Sequence, residues 1–410
     1  MKQSFFIILI NFLFFSLCVS RVEASDDTWW EFQAIDTMKY SRDVSREFLN
    51  NRALLKKVAE EQVKNIAETG ATHVAIATPY DAEFLPVLQE WVSAARRHNL
   101  HVWFRGNWSG WESWFGYPRI TRQEHLEKTV AFIQANPSLF QEGDYFSACP
   151  ECENGGPGDP RMNGDAKGHK QFLIDEHIAA EQAFRQIGKG VSVNLNSMNG
   201  DVARLIMDKE TTAALGGIVV VDHYVRTPDQ LNRDVMDFAQ RSGGKVILGE
   251  FGAPIPDING RMTEEQQAAW LQESLQLMAQ NPALVGLSYW TNMGGSTAIW
   301  KEDGQPTLAV AVLKGFYQPQ QVSGKVTDTL GYPLNATVET PWKSVVTGTE
   351  GLYSLPYLSE DETVLISAKD FVSQEVSVTD LIEAGQIELE PIRISLWYRI
   401  QLWIKGFFSR

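Results

Sequence analysis

Three acidic residues stand where chemistry is plausible. Glu250 ends the apolar run in "KVILGEFGAP", while Glu151 and Glu153 lie in "SACPECENGG", the first of them enclosed by Cys149 and Cys152. A charge placed directly after a buried run costs desolvation, so a functional need is the ready explanation for Glu250. Two carboxyl groups facing each other at about 5–5.5 Å can share a displacement at an anomeric carbon. One donates and later recovers a proton, and the other attacks. The same stretch invites other readings. A C-x-x-C pair serves zinc or redox sites, but structural zinc commonly takes two such pairs and there is no second one. His169 and His177 follow without a compact ligand pattern, and Pro157 with several glycines stands where a redox motif would open a helix. "ENGGPGDPRMNGD" lacks the spacing and closing Glu of a calcium loop. The expectation is a loop stiffened by its cysteines, as thiols or a disulfide, with no metal and no cofactor.

Such carboxylates must be presented by a rigid frame. Short apolar runs alternate with amphipathic stretches from about 30 to 315. The candidate strands are Phe32–Asp36, His73–Thr78, His101–Arg105, Asp144–Cys149, Val191–Asn196, Ile218–His223, Val246–Glu250 and Val285–Trp290. Runs such as "GIVVVDHY" suit parallel strands buried on both faces. Eight strands alternating with helices predict an α/β fold, a (β/α)8 TIM barrel, over 25–318. A doubly wound open sheet is the runner-up, but no G-x-G-x-x-G loop follows a strand. In a barrel, chemistry gathers at the C-terminal ends of the strands. Strand four then ends on Glu151 and Glu153, and strand seven on Glu250. Arg105, Asn107 and Trp108 follow strand three, with Trp111 and Trp114 beyond them. Asp36 ends strand one, Asn196 strand five, His223 and Tyr224 strand six, and Trp290 strand eight.

"LGEFGA", "DHY" and "YWTN", at strands six to eight, resemble clan A glycoside hydrolases, the group that contains cellulases and β-mannanases. The resemblance covers 30–315 and is strongest over 217–295. It implies a retaining hydrolase of β-linked oligo- or polysaccharides with Glu250 as nucleophile, Tyr224 steadying it and Trp290 as the floor beneath the reacting sugar. Glu151 is favoured as acid/base over Glu153, which is kept as a substrate-side candidate. Arg105, Asn107, Trp108, Asn196 and His223 are the remaining candidates for lining the cleft. For Arg105 an internal ion pair is an equal alternative, and for His223 a satisfied rim position. Strand four departs from the clan, which mostly has Asn before its acid/base Glu, to bind the 2-hydroxyl. Pro150 stands there instead, leaving Asn194 or Asn196 to supply that contact. A carbohydrate-binding or adhesion protein on the same barrel and a transglycosylase are the alternative functions.

The ends and the charge balance frame this reading. Lys2, an apolar run over Phe5–Val19 and small residues before Ser25 predict a signal peptide over 1–24, hence a secreted, periplasmic or envelope protein. The net charge is −15, which argues against nucleic-acid partners. From 319 to 390 short alternating runs broken by Gly, Pro and Asp predict a small β-sandwich. Its "GKVTD", "PLNATV" and "TGTEGLYSL" turns resemble carboxypeptidase-regulatory-like modules, which implies a non-catalytic spacer or adhesion role. The tail 391–410 carries four basic residues, no acidic one and many aromatics, so 393–410 is a candidate for contact with an anionic membrane surface. Packing on the sandwich is its plain alternative.

Overall fold

The computed structural model describes residues 28–360, 362–393, 399–401 and 403. The leader expected over 1–24 and most of the tail at 393–410 lie outside the described residues. Among those described, no helix is long and apolar enough to cross a membrane.

Eight strands build the larger part of the molecule. They are β1 Phe32–Asp36, β2 His73–Ile76, β3 His101–Phe104, β4 Tyr145–Phe146, β5 Ser197–Asn199, β6 Ile218–Asp222, β7 Lys245–Phe251 and β8 Leu284–Tyr289. Their order is β4-β3-β2-β1-β8-β7-β6-β5, and the paired neighbours run parallel. The two ends of that row also meet. Tyr145 bridges Ser192 in parallel, Phe146 N donates to Ser192 O at 2.8 Å, and Ser192 N donates to Asp144 O at 3.0 Å. The sheet therefore closes into a (β/α)8 barrel. One strand is displaced from its expected place. The regular part of β5 begins at Ser197 rather than ending at Asn196, because side chains interrupt the ladder before it. Ser147 Oγ donates to Leu195 O, and Asn196 Nδ2 donates to Val193 O at 3.4 Å.

The principal outer helices are α1 Arg52–Ala67, α2 Leu85–Arg97, α3 Arg122–Ala135, α4 Ala166–Gln186, α5 Gly200–Ile206, α6 Pro228–Ser242, α7 Glu264–Ala279 and α8 Leu308–Tyr317. Their starts are written into the sequence. Thr121 and Thr263 each close a capping box, with Glu124 and Gln266, and the Thr227 side chain caps α6 just before Pro228.

Alternation along each strand sorts two apolar layers. Phe32, Ala34, Ala75, Trp103, Leu195, Val220 and Ile247 fill the barrel interior. Their neighbours Ile35, Val74, Val102, Phe104, Val219, Val221, Val246 and Leu248 face the helices. The Phe32 ring meets Trp103 and Tyr145 edge-on, each at 5.4 Å, and so closes the barrel beneath its mouth.

A β domain follows. One sheet orders β11 Ser344–Val346, β10 Ala336–Glu339, β13 Thr363–Ala368 and β14 Gln374–Ser377, and the other orders β12 Leu352–Pro356, β9 Gln321–Asp328 and β15 Gln386–Leu389. The two sheets share one apolar core, including Val326, Val338, Leu355, Val364, Ile366 and Leu389. A seven-residue helix, α9 Val378–Ala384, adds Val378 and Leu381 to that core, an element the alternation did not announce.

Candidate active site

The interior layer sets the parity of the mouth. Phe32 and Ala34 point inward, so Asp36 does too; Trp103 points inward, so Arg105 follows; Val220 points inward, and Asp222 with it. β7 breaks the rule. Ile247 faces inward, so strict alternation would turn Gly249 to the mouth and Glu250 to the helices. A one-residue bulge intervenes: Val221 pairs with Leu248, while Asp222 pairs with Glu250. The extra residue is Gly249, and it restores Glu250 to the inner face. Only glycine fits there, since a Cβ would lie 2.4 Å from Asp222 Oδ1 and 2.9 Å from Val220 Cγ1.

Arg105 is the hub of the mouth. Its Nη1 donates to Asp36 Oδ2 at 2.8 Å and to Glu250 Oε1 at 2.5 Å, and its Nη2 donates to Asp222 Oδ2 at 2.6 Å. Both ends of these pairs are nearly dry, with the Arg105 side chain 1% exposed. Three buried carboxyls facing one guanidinium cannot all ionise freely. Burial lifts Asp36 to about 6 against the pull of Arg105 and holds Asp222 well above the usual carboxylate range. Glu250 has a second donor, the Tyr224 hydroxyl at 2.7 Å from its Oε2. Tyr224 in turn meets the Trp290 ring edge-on at 5.9 Å. Trp290 Nε1 is buried without a partner among the described residues, and Lys39 Nζ lies 5.4 Å from the Trp290 ring centre.

Glu151 reaches the same space from the other side. One oxygen each of Glu151, Asp222 and Glu250 lies within 4.8 Å of the others. That spacing would suit a cation, but two of the three carboxyls, Asp222 and Glu250, already hold the Arg105 guanidinium. No described residue donates a hydrogen bond to the Glu151 carboxyl. Burial first and the neighbouring Glu250 second push it up to about 8. Cys149 and Cys152 are joined as a disulfide around it. Glu153 faces elsewhere. Its Oε1 accepts from Asn199 N at 2.6 Å and from Asn199 Nδ2 at 2.8 Å, and its other oxygen is buried without a partner among the described residues. Burial raises the Glu153 carboxyl, and those donors oppose it.

The structure thus brings Arg105, Glu151, Tyr224, Glu250 and Trp290 together and sends the other candidates away. Trp108 is a core residue rather than part of the cleft wall: its ring lies against Tyr80 and Phe132, and its Nε1 donates to Thr129 Oγ1 at 3.1 Å. Asn107 is fully buried as a bridge, giving Nδ2 to Glu112 Oε1 at 2.9 Å and hydrogen bonding to His125 Nε2 through Oδ1 at 2.9 Å. His125 Nδ1 pairs with Glu176 Oε1 at 2.8 Å, so the chain of contacts is structural. His223 turns outward to Asp234 Oδ2 at 2.8 Å, and burial lowers it. Asn196 Nδ2 donates to Val193 O at 3.4 Å, and the Asn194 side chain packs under Gly216 just before β6. Trp111 is buried against Phe172, whereas Trp114 stays half-exposed beneath Arg42. Asp222 and Glu112 are the residues the motifs did not single out. The inward parity of β6 could have found Asp222. Glu112, raised to about 7 by burial, sits on a short helix that no periodicity marks.

No family model matches the chain, and no curated protein matches it. Among solved structures it is similar to an FMN-binding β-glucuronidase from Facaelibacterium prausnitzii L2-6, at 12% identity over 82% of this chain and 54% of that one, with a TM-score of 0.46. It is also similar to the β-glucuronidase of Ruminococcus gnavus, at 12% identity, 64% and 46% coverage and a TM-score of 0.46. A fungal β-1,4-galactanase is matched at 15% identity over 70% of this chain and 99% of that one, again with a TM-score of 0.46. The chain spans about half the length of the glucuronidases it matches.

Proposed function

We propose that the chain is a retaining glycoside hydrolase acting on a β-linked glycan, with Glu250 as nucleophile and Glu151 as general acid and then general base. One observation carries this reading: the two carboxyls approach within 4.8 Å at the mouth of the barrel. That is close to the separation for direct attack on the sugar, whereas an inverting pair stands about 6.5–9.5 Å apart to admit a water. The two environments suit the two roles. Arg105 and Tyr224 donate to Glu250 and hold its carboxyl in place to attack. Glu151, near 8, still carries a proton at neutral pH.

In the first step Glu250 bonds to the anomeric carbon as the glycosidic bond breaks, and the Glu151 proton passes to the departing oxygen. In the second, Glu151 takes a proton from water, whose oxygen displaces Glu250 and restores both carboxyls. Trp290 offers a flat ring and a free indole N–H to the bound sugar. Export through the leader, membrane contact by the tail and a non-catalytic role for the β domain belong to the same proposal and rest on sequence alone.

The test is trapping with 2-deoxy-2-fluoro-β-glycosyl fluorides of the common hexoses, followed by peptide mass mapping. A glycosyl adduct on Glu250 is expected. Glycan binding without an adduct would make the protein a non-hydrolytic binder, and oligosaccharide products in place of free sugar would mark a transglycosylase.

A further inference from the structure

The turn that carries Glu151 is built against its own backbone preference. Cys149 and Cys152 stand 5.1 Å apart at Cα, which makes residues 149–152 a β-turn with Pro150 and Glu151 at its centre. Proline suits the first central position because its ring presets φ. The second central position here has φ 44° and ψ 47°, the left-handed region usually given to Gly or Asn. Glutamate has no short side chain to stabilise that conformation locally. The neighbours tie down the turn's backbone instead. Glu151 N donates to Ser197 O at 2.8 Å, Asn154 N donates to Glu151 O at 2.8 Å, and Trp111 Nε1 donates to Cys152 O at 3.1 Å. No hydrogen bond from a described residue aims the Glu151 carboxyl, so the backbone at 151 decides from where its side chain enters the mouth.

We propose that the Cys149–Cys152 disulfide holds Glu151 in its proton-donating position, which makes both cysteines positioning residues for general acid catalysis. The proposal rests on the glycosidase reading above. With the cross-link gone, only the Ser197, Asn154 and Trp111 hydrogen bonds restrain the turn, so position 151 relaxes toward a right-handed conformation and its carboxyl swings away from Glu250. Both cysteines are buried in the barrel's main apolar core, so the cross-link is anchored on both sides of Glu151. Pro150, where an amide residue was expected, is the other half of the same turn.

The experiment compares wild type with Cys149→Ala/Cys152→Ala on two aryl glycosides of whichever sugar the wild type cleaves fastest. A 2,4-dinitrophenyl leaving group departs without a proton, and a phenyl group needs one. The expected result is a fall in kcat/KM of about 10²-fold or more on the phenyl glycoside. On the dinitrophenyl glycoside kcat/KM stays within about threefold, because its first step needs no acid. Sodium azide, which attacks the glycosyl-enzyme without a general base, restores kcat on the dinitrophenyl glycoside in the variant and not in wild type. Should the variant fail to fold, wild type is reduced with tris(2-carboxyethyl)phosphine in urea below the unfolding transition. There the disulfide, the phosphine and one water yield two thiols and the phosphine oxide. Phenyl glycoside turnover is then expected to fall in step with the thiols that appear. Equal losses on both glycosides, or none on either, overturn the proposal. A wild type that cleaves neither, indistinguishable from Glu250→Gln, overturns the glycosidase reading beneath it.

Discussion

The end of β7 and the turn after β4 each present one carboxyl to the same space, by opposite means. Glu250 is the next-to-last residue of a seven-residue strand buried along all but its first residue, and its two oxygens accept from Arg105 and Tyr224. Glu151 follows a strand of two residues, on a cross-linked turn, with no described donor on its carboxyl. Donors on a carboxyl in a dry site also fix its position. A neutral acid needs to be kept from such partners, so the backbone must aim it. Holding a side chain and leaving it alone are thus two routes to a matched pair.

The sharpest way to break this contrast is Glu250→Gln. It is expected to lower kcat/KM by about 10⁴-fold on good and poor leaving groups alike, read in steady-state assays. Glu151→Gln is expected to lower it by about 10²–10⁴-fold on poor leaving groups only. It should also remove the alkaline limb of the pH profile: the acid works while protonated, so wild-type activity falls as pH rises through about 8 and the variant has no such limb. An alkaline limb kept by the variant would assign it to another group. Gly249→Ala tests the parity shift. Its Cβ would meet Asp222 Oδ1 at 2.4 Å, so a loss of about 1–3 kcal/mol in urea unfolding is expected, together with a drop in kcat as Glu250 turns from the mouth. The smallest effect concerns stability. Below the ordinary carboxyl value of 4.5, Glu151 is protonated whether folded or unfolded, so wild type and Glu151→Gln should melt alike. Between 4.5 and about 8 only the unfolded wild type ionises, which costs the wild type stability and leaves the variant untouched. The variant should therefore gain stability over the wild type steadily across that window, read as a growing difference in Tm by calorimetry.

The same contrast governs what could be read from the sequence. β1 was legible to the residue, and β6 and β8 to within one, because short, mainly apolar runs bounded by clear turns define them. Glu250 and Tyr224 were legible as motifs, yet the reason Glu250 faces the mouth was not, since alternation alone points it outward and only the bulge corrects this. Asp36, Arg105 and Asp222 follow from parity, but that they converge on one guanidinium depends on barrel closure. Asn107 and Trp108 lie away from the mouth, and His223 takes its satisfied alternative, for a shared reason. Each is a polar or aromatic residue just past a strand end, where a side chain chooses between the mouth and the helices. Their choices were made by Glu112 and His125, Thr129, and Asp234, partners remote in sequence or unmarked by any motif. Glu151 lay between these cases. Its place after strand four was plain, whereas its left-handed backbone could not be told from C-x-x-C.

The cage around Arg105 has a consequence for the solvents in which the site can work. Ion pairs on the rim, such as Lys39–Asp43 at 3.2 Å, are open to mobile ions, and at 1 M salt the screening length shrinks to about 3 Å. The three pairs of Arg105 are closed to them, so the charge balance of the centre is set inside the barrel and not by the medium. Turnover of a neutral glycan should consequently hold within about twofold from dilute buffer to 1 M sodium chloride. Brine would reach the surface of this protein and stop there.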